Sequence, residues 1–158
     1  MNFYAVNTQQ NTNASANTDT LLAGLATIAG LRARCVKLQA GNFSNAIDNQ
    51  IRLQLRRLAT VGSFSAGGAI TPQPKEPDAP AAFSTASSLP TLGTGTLAAV
   101  SAAQIAYNTR GTGMWAAFVD DEKIGMQGAA SAVNGNLLVD SQASGATVAV
   151  PLDLTVQE

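Results

Sequence analysis

Residues 50–80 read QIRLQLRRLATVGSFSAGGAITPQPKEPDAP, and three successive patterns in that stretch decide the fold. Ile51, Leu53 and Leu55 alternate with Arg52, Gln54 and Arg56. A period of two lays one side of a strand on a core and leaves the other side out. Arg57 and Leu58 end the alternation, and the Gly/Ser-rich stretch from Gly62 to Gly68 reads as a loop or a turn with a strand edge. Pro72, Pro74, Pro77 and Pro80 follow within nine residues. Each lacks an amide donor, so 72–80 is no central strand but an extended excursion along the domain or toward a neighbour.

The flanking segments carry the same β pattern. Residues 32–41, RARCVKLQAG, read as a strand with Val36, Leu38 and Ala40 inward, sharing a sheet and a basic face with 50–59. In residues 20–31, TLLAGLATIAGL, the spacing of Leu21, Leu22, Leu25, Ile28 and Ala29 predicts a short helix. Thr18 or Asp19 would be its cap and Gly30 its stop; a strand-turn reading stands beside it. Residues 1–19 begin with a β-prone run at Phe3 to Val6 and continue as an Asn/Thr/Gln tract that cannot form a core, which predicts an N-terminal arm. Deleting residues 1–17 is then expected to leave the domain folded.

Downstream, Ala98–Tyr107 reads as strand or helix, with Ile105 and Tyr107 favouring a strand at its end, and Met114–Val119 reads as a strand holding Trp115 and Phe118. Ile124–Gln127 follows an acidic turn, and Leu137–Asp140 follows the Asn134-Gly135 turn signal. The last strand places Val148, Val150, Leu152, Leu154 and Val156 inward, with Thr155 and Gln157 outward and Pro151 marking an edge or a bulge. The sum is an all-β protein: a jelly-roll-like β-sandwich of about eight strands over residues 20–158, with at most one or two short helices.

Composition narrows the function. The 158 residues hold no histidine and one cysteine, which removes Ser–His–Asp, Cys–His and imidazole–metal sites together with any intrachain disulfide. Cys35 reads as a small core residue. No phosphate-binding glycine loop occurs. Asp120, Asp121 and Glu122 read as a solvated turn before a calcium site. Asp140 and Asp153 are the one carboxylate pair open to a glycosidase reading, and nothing marks either. The expectation is no enzyme, no cofactor and no metal. No secretory leader is legible, and the apolar run Leu21–Leu31 is too short to span a bilayer, so no membrane partner is expected.

Charge is divided along the chain. Residues 1–75 carry seven basic and two acidic residues, a net +5; residues 76–158 carry two basic and eight acidic, a net −6. Either the halves neutralise each other within the fold, or they form opposed docking surfaces. For Arg52, Arg56 and Arg57 the readings are therefore ion pairs to the chain's own acidic half, docking on an acidic protein, or phosphate contacts. The last suffers from the absence of interleaved aromatics, so no nucleic acid is expected.

The layout as a whole resembles small structural proteins of tailed-bacteriophage virions, capsid decoration or cement proteins above all. The resemblance rests on the short N-terminal β run, the Asn/Thr-rich segment, Thr20-Leu21-Leu22, the strand ending Arg56-Arg57-Leu58, Gly62-Ser63, Thr71-Pro72 and Glu76-Pro77-Asp78-Ala79-Pro80. The Trp115 strand, Gly135-Asn136-Leu137-Leu138 and the alternating C-terminal strand complete it. It implies a β-rich protein made in the host bacterial cytoplasm and placed on the capsid surface, where it reinforces joints between subunits of the major capsid protein. It also implies a homo-oligomer, a trimer before a dimer. Candidate interface residues are Arg52, Arg56, Arg57, Pro72, Pro74, Pro77, Phe3 and Tyr4. The alternatives are a tail, neck or fibre-attachment domain, or a carbohydrate- or cell-surface-binding sandwich with Trp115 and Tyr107 as stacking residues.

Overall fold

A computed structural model describes the chain except for residues 14, 16, 17, 42–47, 63, 66, 130, 131, 144 and 146 and the side chains of residues 64, 65 and 143. The strands, in chain order, are β1 (Phe3–Asn11), β2 (Thr20–Ala26), β3 (Arg32–Ala40), β4 (Gln50–Arg56), β5 (Phe64–Ser65), β6 (Gly68–Ile70) and β7 (Gln73–Pro74). They continue as β8 (Thr85–Ser88), β9 (Thr91–Leu92), β10 (Ala103–Asn108), β11 (Gly113–Ala116), β12 (Ile124–Gln127), β13 (Asn136–Ala143) and β14 (Ala149–Gln157). The only helical turn among the described residues is the 3-10 turn Asp120–Glu122.

Two six-stranded antiparallel sheets face each other. One runs β11-β3-β14-β1-β7 with β12 also on β3, the other β10-β4-β13-β2-β8-β6; β5 and β9 form a separate ribbon. The chain alternates between sheets through β1, β2, β3 and β4. It then sets β10 beside β4 and β11 with β12 beside β3, and returns to lay β13 between β2 and β4 and β14 between β1 and β3. This is the jelly-roll connectivity, a doubled Greek key that keeps long strands off the sheet edges. Ile51, Leu53 and Leu55 of β4 meet Val150, Leu152, Leu154 and Val156 of β14, all buried in one core with Leu22, Leu25, Leu38, Leu137 and Val139.

Several sequence expectations change in the fold. Residues 20–26 form β2, not a helix. Its helix-like spacing arises because residues 22–26 are buried on both faces, with β13 and β8 alongside and a register shift between β2 and β13 at Val139/Asp140. The N-terminal segment is extended, but Phe3–Asn11 does not reach out as an arm. It pairs residue for residue with β14, whose nine-residue ladder binds the polar tract that has no core of its own. The strands β3 and β4 lie in opposite sheets, so their basic residues occupy opposite outer faces. In β3 a register shift against Thr155/Val156 switches the inward set to Ala33, Cys35, Leu38 and Ala40, leaving Val36 only half-buried.

Pro151 sits in the central strand β14, neither at an edge nor at a bulge. Its carbonyl accepts from Gly41 N at 3.3 Å, which places its missing N–H on the β3 side, just beyond Ala40 where that strand ends. No ladder bond is lost there. Thr155 and Gln157 face outward yet are buried, because Lys75 Nζ donates to Thr155 Oγ1 at 2.9 Å and Lys123 Nζ to Gln157 Oε1 at 3.1 Å.

Candidate interaction surface

The basic residues of β4 mostly find their partners within the chain. Register sets Arg56 opposite Leu138 and Gln54 opposite Asp140, so Arg56 reaches Asp140 diagonally across the outer face of its sheet. Its Nη1 donates to Asp140 Oδ2 at 2.8 Å and to Asp19 Oδ2 at 3.1 Å, and its Nε donates to Ala98 O at 2.8 Å. The Asp140 side chain is 1% exposed. Burial pushes its carboxyl above the ordinary range, the Arg56 hydrogen bond pulls the other way, and Asp19 adds repulsion. Arg52 donates to Gln142 Oε1, and Gln142 donates in turn to Asp19. Arg52 and Arg56 thus belong to one polar network through Gln142 and Asp19; Arg56 makes the in-chain ion pairs of the sequence reading, whereas Arg52 meets only Gln142 and its buried Nε has no partner among the described residues.

Arg57 is different. It leaves the strand, is half-buried, and donates through Nη2 to the Gly125 carbonyl; among the described residues its buried Nη1 has no partner. Desolvation lowers its pKa, since no carboxylate compensates the charge. Two clefts meet at this side chain. One, of about 490 Å³, adds Arg32, Arg34, Lys123 and Asp120. Asp120 there takes Lys123 and, at 3.9 Å, Arg34; the Lys123 hydrogen bond holds its carboxyl below the ordinary range. The other, of about 580 Å³, adds Ala102, Trp115, Phe118, Asp121 and Glu122. Phe118 is 88% exposed, with Val119 and Met114 exposed beside it in sequence.

The proline-spaced segment and the N-terminal aromatics do not form a free arm. Gln73 and Pro74 pair with Ala5 and Tyr4 as the edge strand β7, and Lys75 N donates to Phe3 O at 2.8 Å. Tyr4, expected at an interface, is 1% exposed, and its hydroxyl donates to Pro80 O at 2.8 Å, so it staples the excursion to the core. Pro72 is buried as well; Phe3 is half-buried, and Pro74 and Pro77 remain exposed. Glu158 closes the same corner by accepting from Phe83 N and Ser84 N, both at 2.9 Å.

The remaining chemical candidates separate in space. Asp140 lies on the outer face of one sheet and Asp153, bound by Lys37 Nζ at 3.1 Å, on the outer face of the other. Sheets stack about 10 Å apart, so outward carboxylates lie beyond the roughly 5–9.5 Å of glycosidase pairs. Tyr107 is buried, its phenol pushed up to about 12 by desolvation, and Trp115 packs on the core. Neither is the open ring that sugar stacking needs. Among the described residues no group of three His, Cys, Asp or Glu could hold a metal ion.

Sequence reasoning placed Phe118 in a strand with Trp115, but β11 ends at Ala116. Comparison with protein-family models, curated proteins and solved structures finds no match.

Proposed function

We propose that this chain is a non-enzymatic structural protein of a bacteriophage virion. It binds the outer capsid surface as a decoration or cement protein and reinforces contacts between major capsid protein subunits. One observation carries the docking part of this reading. Arg57 is desolvated with no carboxylate in salt-bridge range among the described residues, in one cleft with the exposed ring of Phe118. A displayed aromatic beside an arginine that lacks a counter-charge is the composition of an interface hot spot, and an acidic side chain of the partner would complete it. The virion context rests on the resemblance in layout, and the jelly-roll fold is compatible with it.

The test is co-sedimentation of the protein with isolated capsids. Arg57→Ala and Phe118→Ala should each lower occupancy at least about tenfold, the loss of one hot-spot residue, while their melting curves stay near wild type. Wild-type protein that never pellets with capsids would move the assignment to a tail, neck or fibre position. Binding on a glycan array, lost in Phe118→Ala, would move it to a surface-binding sandwich.

A further inference from the structure

Sheet edges are where a β-protein must guard against unintended pairing, and this chain guards its edges unequally. The β7 edge is two residues long and lies among Pro72, Pro74 and Pro77. The opposite edge of that sheet is broken into two four-residue strands, β11 and β12, with the acidic turn Asp120–Glu122 between them. In the other sheet the β6 edge is three residues long. Strand β10, at that sheet's other end, is six residues long and pairs with β4 with no shift of register. Its sequence, AQIAYN, has no charge, proline or glycine, and the one irregularity of this edge lies ahead of it, where Ala98 N donates to Arg57 O and Ala102 N to Leu55 O out of the β10 register.

The unpaired side of β10 can be read from the paired one. Thr109 N donates to Asn49 O at 2.9 Å, which turns odd-numbered residues toward β4. The N–H and C=O groups of Gln104 and Ala106 then point away from the sheet. Among the described residues no strand pairs with that side. At about 3.3 Å per residue the open edge is about 20 Å long.

The two ends of this edge differ in charge. Arg110, exposed just past the C-terminal end, has no carboxylate in salt-bridge range among the described residues. At the N-terminal end, Ala102 shares a cleft with Phe118, Asp121 and Glu122 and with two cations, Lys123, which is taken by Asp120 and Gln157, and Arg57, which donates to the Gly125 carbonyl. Asp121 has no ion pair there, and Glu122 only accepts from Phe118 N at 2.7 Å.

We propose that β10 is the pairing edge for a second copy of this chain, two β10 strands meeting antiparallel about a two-fold axis. With the axis at Ile105 or at Ala106, Arg110 of each copy falls opposite Val100 or Ala102 of the other. It then comes beside Asp121 and Glu122, and symmetry makes the contact twice. Parallel addition would instead set Arg110 against Arg110, so the charges select the antiparallel pair. Val100 and Phe118, 81% and 88% exposed, lie at the same end and supply apolar surface that the open edge lacks. The result is a two-fold dimer in place of the trimer that the virion resemblance implies, and it needs no capsid.

The test uses the full-length chain in sedimentation equilibrium over a concentration series, with amide exchange read at Gln104 and Ala106. Wild type should form a dimer whose exchange at those two amides slows as dimer forms. Ala106→Pro removes an N–H that points away from β4, and Ala106→Lys puts a charge on the edge. Each should weaken association at least about tenfold while the cooperative melt is retained. Arg110→Glu should weaken it too, and adding Asp121→Arg should restore it. A wild-type monomer at every concentration overturns the proposal and leaves the capsid reading standing. An oligomer that survives both Ala106 variants, or a charge swap that restores nothing, overturns it as well.

Discussion

Arg56 is the residue whose loss should matter most outside the core. Replacing it with alanine leaves Asp140 buried, with Oδ2 deprived of its donor and Oδ1 already without one. Removing one partner of a buried pair typically costs about 3–5 kcal/mol, because the remaining charge is uncompensated. A domain of this size is stable by about 5–15 kcal/mol, so Arg56→Ala should lower Tm by about 10 °C at pH 7. The cost should also depend on pH, and its sign follows from Asp140. Its folded-state pKa is raised above the unfolded value. Proton uptake therefore favours the folded state, and the associated stability is fully present below the unfolded pKa and lost as pH rises through the folded one. Arg56 opposes that rise, so its removal widens the window. Urea unfolding of wild type and Arg56→Ala from pH 7 down to about pH 4, the ordinary carboxylate value, should show the deficit shrink with acidification. Asp140→Asn removes the charge and keeps the shape, and should cost no more than about 1 kcal/mol at pH 7, since Arg56 retains Asp19. A deficit in Arg56→Ala that is absent, or equal at both pH values, would refute the reasoning.

Three further outcomes follow from the fold. Deleting residues 1–11 removes β1 from between β14 and β7, and should abolish the cooperative melt instead of trimming an arm, as circular dichroism during heating would report. Cys35 is fully buried, its thiol pushed up to about 12 by desolvation, so a thiol reagent at pH 8 should titrate it only in denaturant; rapid labelling of the native protein would contradict its place in the core. A Cβ added at Gly135 would lie 1.8 Å from the Ala129 carbonyl oxygen, which is backbone and cannot step aside. Gly135→Ala should therefore destabilise by roughly 2 kcal/mol or more in urea unfolding.

The strands with one wet face were legible because alternation reports burial directly: β4 and β14 obey it, and both build the core. Segments buried on both faces were not. In β2 the residues Leu22, Ala23, Gly24, Leu25 and Ala26 are all covered, so the period of two disappears and the remaining apolar spacing imitates a helix. The opposite failure struck β1, where Asn7, Gln9 and Asn11 are exposed polar residues whose strand conformation comes from the β14 ladder. Local propensity holds no record of a partner more than a hundred residues away. The register shift in β3 hid the same way, since Val36 falls in phase with Leu38 in sequence and out of phase in space. For the surface, residue type drew attention to Arg52, Arg56 and Arg57, but only the fold separates Arg56, which meets two carboxylates, from Arg52 and Arg57, which meet none among the described residues.

The divided charge of the sequence has its explanation in the same connectivity. A jelly roll lays its last two strands between earlier ones, so the acidic C-terminal half is threaded through the basic N-terminal half. Asp140 of β13 thereby comes beside Arg56 of β4, Asp153 of β14 beside Lys37 of β3, and Asp120, ahead of β12, beside Arg34 of β3. Three ion pairs thus join the basic and acidic halves among the described residues, so part of the net +5 and net −6 is matched within the sandwich. Neutralisation by interleaving works only where a strand has acidic and basic neighbours on its flanks. At the side of the sandwich where β10 and β11 end their sheets, Arg57 shares a cleft with Phe118, Asp121 and Glu122, and Arg110 lies at the far end of β10.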